Sequence, residues 1–125
     1  LSATMDWNGS ALRQRLLKSS IRYGYPKEGV TFWSDNVVVL KEAKNVENAK
    51  LFQNFIMDPE NAAMISAYAR YANGIVGSAP YMPADMQDAP EINVPAEFLD
   101  MGSFTPACPP EVTELYTKIW TDVLK

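Results

Sequence analysis

Four consecutive apolar residues, Val37, Val38, Val39 and Leu40, constrain the fold more than any other feature of the sequence. The run lacks the polar alternation of a strand that has one face in water. A strand of this kind is predicted to be buried on both faces, as in a sheet that helices cover. The run therefore favours an α/β fold.

Two other segments are predicted to be extended, and the extended structure around the apolar run is expected to begin before it. The alternation of apolar and polar residues at 3–7 indicates a strand, and residues 21–25 have the composition of a second strand. The sequence PKEG at 26–29 predicts a turn, and residues 30–40 are expected to form one or two further extended segments. These strands are too few to form a complete sheet. We therefore expect the chain to be part of a larger fold.

The first half of the chain also contains two predicted helices. Ser10 could cap a short helix that runs to about residue 18. Asn45 could cap a second helix that ends at about Met57 and carries its apolar residues at spacings of three and four. These helices, placed between extended segments, agree with an α/β layout.

Asp58 and Pro59 predict the start of a third helix, because aspartate is a good N-cap and proline fits the first helical position. We expect this helix to end near residues 73–74, where an Asn-Gly pair is a breaker. Its predicted buried face comprises Ile65, Tyr68, Ala69 and Ala72.

The chain from residue 74 to residue 110 is rich in proline, glycine and aspartate, and at most short helical turns are expected around Ala84 and Ala96. Cys108, the single cysteine, is expected to be a small packed residue. A last helix is predicted for residues 110–125, with Trp120 as a packing residue. Its predicted buried stripe comprises Val112, Leu115, Tyr116, Ile119 and Val123.

The composition narrows the classes of function. With 125 residues, 47% of them hydrophobic, the chain fits one ordinary globular domain or a piece of a larger one. It has no histidine, which weakens the common routes to acid–base catalysis and zinc binding, so no catalytic residue, metal or cofactor is predicted. The basic group Arg13, Arg15 and Lys18 is interpreted as a solvated helix face, and the net charge of −4 argues against a nucleic-acid partner.

Trp33 and Asp35 suggest a different kind of site. Residues two apart in an extended segment face the same way, so this pair would present an aromatic surface and a negative charge together. That combination suits a cation. The alternative interpretation is a core tryptophan beside a solvated turn aspartate.

Five short motifs, in order, extend this interpretation: WNGSA at 7–11, PKEG at 26–29, FWSD at 32–35, AKN at 43–45 and DPE at 58–60. Together they resemble the C-terminal portion of bacterial periplasmic spermidine/putrescine-binding proteins, the solute receptors of polyamine ABC importers. The resemblance runs without a gap from Trp7 to about Tyr71 and continues more loosely to the final helix.

This resemblance implies a two-lobed, type II periplasmic binding protein fold to which the chain contributes in both lobes. Residues 1–14 would form a strand of the second lobe and the approach to the hinge, residues 15–81 would belong to the first lobe, and residues 82–125 would return to the second. The polyamine site would lie in the cleft between the lobes, lined by Trp7, Trp33, Asp35 and Tyr71.

The implied function is binding without chemistry, in the periplasm, followed by recognition of the closed form by an ABC permease. The implied partners are a polyamine, the permease, and either the missing N-terminal portion or a second copy of the chain. Such receptors carry a glutamine shortly before the last helix, and residues 103–112 contain none. The ligand therefore stays open among spermidine, putrescine, another diamine and a different cationic metabolite.

Two other classes of function stay open. A structural or interaction fragment would have the same ancestry with a degenerate pocket. An enzyme would need Asp35 or another carboxylate as a base together with an electrophile, and the lack of histidine, of a phosphate loop and of clustered metal ligands disfavours it.

Overall fold

The computed structural model describes residues 2–125, and in them the chain is a mixture of helices and short strands. Six α-helices and two strands are found in this part of the chain, together with one turn of 3₁₀-helix at Ala79–Tyr81. In chain order the elements are α1 (Asn8–Leu17), β1 (Val30–Phe32), α2 (Val46–Ile56), α3 (Pro59–Ala69), α4 (Ala84–Gln87), α5 (Ala96–Leu99), β2 (Gly102–Phe104) and α6 (Pro110–Val123).

The two strands form a small parallel sheet. Val30 lies opposite Gly102, and Phe32 lies opposite Phe104 with the two ring centroids 6.1 Å apart. A side chain at Gly102 would collide with the ring of Phe32, so the close approach of the strands requires glycine there. The strand β2 was not predicted, because its three residues offer only one large apolar side chain and follow an irregular segment.

The main core lies between α1 and the segment that contains α4. Leu12 of α1 is fully buried against Met86 and Ala89, and Met82 and Ile92 pack around them. Distant parts of the sequence therefore meet at α1. Burial of the Leu12 side chain contributes about 1.5–3 kcal/mol to the stability of this contact.

A second packed region joins α3 to the loop that follows it. Ala62, Ala63 and Ser66 are the buried residues of α3. The Nδ2 of Asn73 donates to the Oγ of Ser66 at 2.8 Å, and the Ser78 hydroxyl donates to the Oδ1 of Asn73 at 2.8 Å. These bonds hold the loop against the helix.

The predicted starts of α2 and α3 are confirmed. Asn45 precedes α2, although its side chain makes no capping hydrogen bond. The Oδ1 of Asp58 accepts from the backbone N–H groups of Glu60, at 3.1 Å, and Asn61, at 3.3 Å, and Pro59 is the first helical residue. Aspartate at this position satisfies N–H groups that have no partner within the helix.

Two helix boundaries differ from the prediction. The helix α1 begins at Asn8, because the carbonyl of Trp7 already accepts from the N–H of Ala11, so Ser10 lies inside the helix. The helix α3 ends at Ala69 rather than near residues 73–74. It ends there because Arg70 adopts the left-handed conformation, with φ at 64°.

Most of the predicted extended structure is absent from residues 2–125. Residues 3–7 and 21–25 form no strand, and only three residues of the segment 30–40 do. The run at 37–40, predicted to be buried, is largely exposed, with Val38 at 70% and Leu40 at 73%. A strand needs a neighbour for its backbone hydrogen bonds, and no strand of the described chain lies beside these residues.

The predicted buried faces of α3 and α6 are also exposed. Ile65 and Tyr68 of α3 face solvent, and α3 buries its small residues instead. Cys108, expected to be packed, is exposed. The amphipathic pattern of α6 was predicted correctly, but no element of residues 2–125 covers its apolar side. The exposed large apolar residues of α6, called here the α6 apolar face, are Val112, Leu115, Tyr116, Ile119, Trp120 and Val123.

Across residues 2–125, none of the helices has both the length and the apolar character needed to span a membrane.

Candidate ligand-binding site

Three aromatic residues from separate parts of the chain meet on one surface. The ring centroids of Trp7 and Trp33 lie 4.9 Å apart with planes at 73°, and those of Trp33 and Tyr71 lie 5.9 Å apart at 84°. Both arrangements are edge-to-face, the geometry that aromatic pairs prefer. We call these three residues the aromatic cluster.

Each member of the aromatic cluster sits at the end of an element. Trp7 immediately precedes α1, Trp33 immediately follows β1, and Tyr71 follows α3 by two residues. The element ends fix the backbones while the side chains project from them. Trp7 is 61% exposed and Trp33 is 42% exposed, so both indoles keep aromatic surface that a ligand can reach.

Asp35 lies just beyond Trp33 and is exposed. Because β1 ends at Phe32, the pair Trp33 and Asp35 is not part of a strand, as the sequence had suggested. No side chain in residues 2–125 makes an ion pair or hydrogen bond with Asp35, so its carboxylate is free to accept hydrogen bonds from a ligand.

A second acidic residue, Asp6, was not singled out by the sequence. Its Oδ1 accepts from the backbone N–H of Trp7 and its Oδ2 accepts from the Nε2 of Gln14, both at 2.8 Å. Asp6 therefore fixes the backbone of Trp7 against the first turns of α1. Its position beside a tryptophan was the available signal, but the partner at Gln14 is visible only in three dimensions.

The aromatic cluster is separate from two open cavities in the described part of the chain. Two open cavities, of about 480 and about 410 Å³, lie elsewhere, one beside Asn73 and Met86 and the other beside Arg15 and Tyr23. The cluster instead forms one wall of an open surface. A ligand that bound there would need a second wall to lose its contact with water.

Comparison with known proteins gives a consistent result. A putrescine-binding periplasmic protein of Pseudomonas aeruginosa strain UCBPP-PA14 is 30% identical over 106 residues, which are 85% of this chain and 29% of that protein. The spermidine/putrescine-binding periplasmic protein of Escherichia coli K12 is 37% identical over 67 residues, 54% of this chain and 19% of its own length. The chain is a homologue of periplasmic putrescine- and spermidine-binding proteins. No family model matches it.

The chain is also similar to the putrescine/agmatine-binding protein of Pseudomonas aeruginosa strain PAO1. That protein is 24% identical over 95% of this chain and 34% of its own length. The chain thus spans about a third or less of the curated relatives that it matches. The names of these relatives describe binding proteins rather than enzymes, and two of the three name the periplasm.

Arg13 is exposed, in agreement with its interpretation as part of a solvated helix face, and in this polyamine-binding-protein homologue it also contacts the aromatic cluster. Its guanidinium carbon lies 5.6 Å from the centroid of the Tyr71 ring, and its Nη1 donates to the carbonyl oxygen of Ala69, the last residue of α3. A cation near the C-terminus of a helix interacts favourably with the helix dipole. The signal in the sequence was the spacing of Arg13 from Gly9, which places both on one face of α1.

Gly9 allows α1 to approach Tyr71 closely. A Cβ atom at residue 9 would lie 2.6 Å from three atoms of the Tyr71 ring. Real Cβ atoms do not approach other heavy atoms so closely, so any larger residue must displace the ring. The WNGSA motif therefore supplies both Trp7 and the space that Tyr71 occupies.

Replacing Gly9 by alanine is expected to displace the Tyr71 ring and to lower the free energy of unfolding by about 1–3 kcal/mol, the usual cost of overpacking. Urea denaturation measures the free energy, and the near-ultraviolet circular dichroism of the Trp33–Tyr71 pair reports the displacement. Gly74→Ala is the matched control, since a Cβ there has no heavy atom within 4 Å. Equal effects of the two substitutions would contradict the steric account.

The other end of α1 is held by a buried ion pair. The Nε of Arg15 donates to Glu91 Oε1 at 2.6 Å and its Nη2 donates to Oε2 at 3.0 Å, and the side chain of Glu91 is fully buried. The hydrogen bonds that Arg15 donates to the Glu91 carboxylate raise the pKa of Arg15. Arg15 is therefore a structural residue rather than part of a solvated face.

Tyr25 packs next to this ion pair. Its hydroxyl donates to the carbonyl oxygen of Pro90 at 2.5 Å, and its ring stacks on Phe98 with centroids 5.0 Å apart. Burial raises the pKa of Tyr25 to about 12, and the negative charges at Tyr23 and Glu91 add to the effect.

The pKa of Tyr25 predicts a loss of stability at high pH. Because its pKa is higher in the folded protein than in the unfolded chain, where it is about 10, the stabilisation is complete below about pH 10 and is lost as the pH rises through about 12. The free energy of unfolding of the unchanged protein should therefore fall more steeply over this range than that of Tyr25→Phe. Tyr68→Phe, at a ring that is 91% exposed, is the control and should follow the unchanged protein.

Proposed function

We propose that the chain is part of a two-lobed, type II periplasmic receptor that binds a polyamine such as putrescine or spermidine and delivers it to an ABC importer. The observation that carries the proposal is the aromatic cluster of Trp7, Trp33 and Tyr71, with the unpaired Asp35 close in sequence, in a homologue of putrescine- and spermidine-binding proteins. The names of the relatives support the class of ligand.

The chemistry of the four residues suits an organic cation. An ammonium group that leaves water needs a replacement for its hydration, because an unpaired buried charge is costly. The carboxylate of Asp35 would supply a charge-assisted hydrogen bond worth about 1.5–3 kcal/mol. The indoles of Trp7 and Trp33 would hold the methylene chain and add cation–π attraction of about 0.5–2 kcal/mol.

The proposed division into lobes places residues 1–14 and 82–125 in one lobe and residues 15–81 in the other. The packing of Leu12 against Met86 and Ala89 supports the first grouping. In this arrangement the Arg15–Glu91 ion pair and the ladder between β1 and β2 would be contacts between the two lobes.

The rest of the receptor would supply the second wall of the site. Its source would be the N-terminal portion that the longer relatives have or a second copy of this chain. The exposed run at 37–40 and the α6 apolar face are the surfaces that it would cover, because exposed apolar patches of this kind mark interaction sites. Closure of the lobes on the ligand would then create the form that the permease recognises.

Native mass spectrometry of the purified protein, before and after addition of putrescine or spermidine, tests the proposal. We expect a mass increase equal to one diamine or triamine, together with the number of chains in the particle that carries it. The Trp7→Ala/Trp33→Ala double variant is the control and should lose the added mass. A protein that stays bare at saturating concentrations of both amines contradicts the proposal.

A further inference from the structure

We propose that Gln14 is a positioning residue of the ligand site, which acts through Asp6 to hold Trp7 in place before the polyamine binds. The inference rests on the proposed function and specifies how the site reaches its affinity. It arises because a series of hydrogen bonds connects α1 to the backbone of Trp7, and the Trp7 ring meets that of Trp33 in the aromatic cluster.

The indole of Trp7 is not enclosed by the protein. Trp7 is 61% exposed, and its ring meets that of Trp33 edge-to-face with the centroids 4.9 Å apart. Residues 2–6, which precede it, are exposed and form no helix or strand. Exposed segments with few packing contacts fluctuate unless hydrogen bonds hold them. The place of Trp7 in the aromatic cluster therefore depends on how its backbone is held.

Hydrogen bonds hold the backbone of Trp7 on both sides of its Cα atom. Its carbonyl oxygen accepts from the N–H of Ala11 at 2.9 Å, and its own N–H donates to the Oδ1 of Asp6 at 2.8 Å. Together these two bonds set the direction in which the indole leaves the backbone. The bond to Ala11 is part of the helix, whereas the bond to Asp6 depends on a side chain and can be tested by substitution.

Gln14 holds the carboxylate of Asp6 where the bond to Trp7 requires it. The Nε2 of Gln14 donates to the Oδ2 of Asp6 at 2.8 Å and to the Oγ of Ser10 at 3.4 Å. These bonds tie the carboxylate to α1, the helix that the buried Leu12 anchors in the core. Without Gln14, water would compete for the exposed carboxylate, so the bond from the Trp7 N–H would be weaker.

Isothermal titration of the full chain with putrescine tests the inference. Gln14→Met keeps a long side chain, removes both donors and leaves the charge unchanged. We expect it to weaken putrescine binding about two- to tenfold, the factor that corresponds to ordering one flexible side chain when the ligand binds. Because Gln14 is exposed, the variant should stay folded, which far-ultraviolet circular dichroism checks.

Two comparisons separate positioning from a general effect of the substitution. Gln87→Met removes the same amide from α4, where it donates to the carbonyl oxygen of Met82 at 3.1 Å, and should bind putrescine as the unchanged protein does. In an Asp6→Ala background, Gln14→Met should have no further effect on affinity, because its partner is already absent. Both proteins of that second comparison have the same net charge, so charge does not enter it.

Circular dichroism of the free protein reports the place of the Trp7 indole without a ligand. The rings of Trp7 and Trp33 are close enough for their electronic transitions to couple, and the coupling gives a band that depends on their relative orientation. Gln14→Met should weaken this band in the free protein, and saturating putrescine should restore it. Gln87→Met should leave the band unchanged. A purely structural role of Gln14, far from the site, would not alter the coupling of these two rings.

The outcomes distinguish the inference from the proposed function. If the unchanged protein binds putrescine and Gln14→Met binds it equally well, the inference is wrong and the proposed function stands. An equal loss of affinity from Gln14→Met with and without Asp6 would also overturn it, because Gln14 would then act by another route. If putrescine binds neither the unchanged protein nor any variant, the proposed function fails and the inference fails with it.

Discussion

Replacing Arg15 by methionine is expected to lower the free energy of unfolding by about 3 kcal/mol, near the low end of the range for breaking a buried ion pair because Arg15 is partly exposed. The loss is large because the carboxylate of Glu91 is fully buried and receives both of its side-chain hydrogen bonds from Arg15. Without them the carboxylate must be buried unpaired or the surrounding structure must open. Urea denaturation followed by far-ultraviolet circular dichroism measures the change.

The control for this prediction is Arg22→Met, which removes the same charge from an exposed residue and should cost less than about 0.5 kcal/mol. The double variant Arg15→Met/Glu91→Met removes both charges and should recover much of the lost stability, because two apolar side chains of similar size can replace a buried ion pair. A double variant less stable than Arg15→Met would show that the burial of Glu91 is not the source of the loss.

Replacing Asp35 by asparagine is expected to weaken putrescine binding by about ten- to a hundredfold. The substitution keeps the shape of the side chain and removes the negative charge that a charge-assisted hydrogen bond to an ammonium requires. The expected factor follows from the loss of about 1.5–3 kcal/mol, at 1.4 kcal/mol for each factor of ten. Titration calorimetry of the full chain measures it, and the free energy of unfolding should not change, because Asp35 is exposed.

Asp122→Asn is the matched control, since it makes the same change of charge on α6, where Asp122 pairs with Lys125 at 3.0 Å. It should bind putrescine as the unchanged protein does. A structural fragment with a degenerate pocket would be indifferent to both substitutions. Equal affinities for the unchanged protein and Asp35→Asn would remove Asp35 from the site.

The sequence predicted best the features that depend on nearby residues. The helices α2 and α6 have the predicted bounds to within two residues, and Asp58 and Pro59 begin α3 as expected. Capping and helical periodicity depend on residues within one or two turns of the helix. These features can therefore be predicted from the sequence alone.

The features that were wrong depend on distant partners. The run at 37–40 has the composition of a buried strand, but a strand forms only beside another strand, and this one has no neighbour in residues 2–125. The same reason explains the exposure of the α6 apolar face. The apolar pattern indicates that another strand or helix should cover these residues. Only the three-dimensional structure shows whether the described chain contains that element.

The candidate site was predicted in part. The structure brings together the three aromatic residues that the family resemblance indicated, Trp7, Trp33 and Tyr71. The ligand-binding role of these residues and of Asp35 stays a prediction. Arg13 was missed because its neighbour in space, Tyr71, is far from it in the sequence. Charged residues on a helix are most often solvated, so composition and spacing alone could not identify it.

The parallel pairing of β1 with β2 implies an order of events during folding. The two strands come from distant parts of the chain and share only three residue pairs, so closing the loop between them costs much entropy for little gain. The helices α2 and α3 adjoin each other in the sequence and can form without that closure. The ladder should therefore assemble late and open early, and its amide hydrogens should exchange with solvent before those of Leu12 and its neighbours in α1.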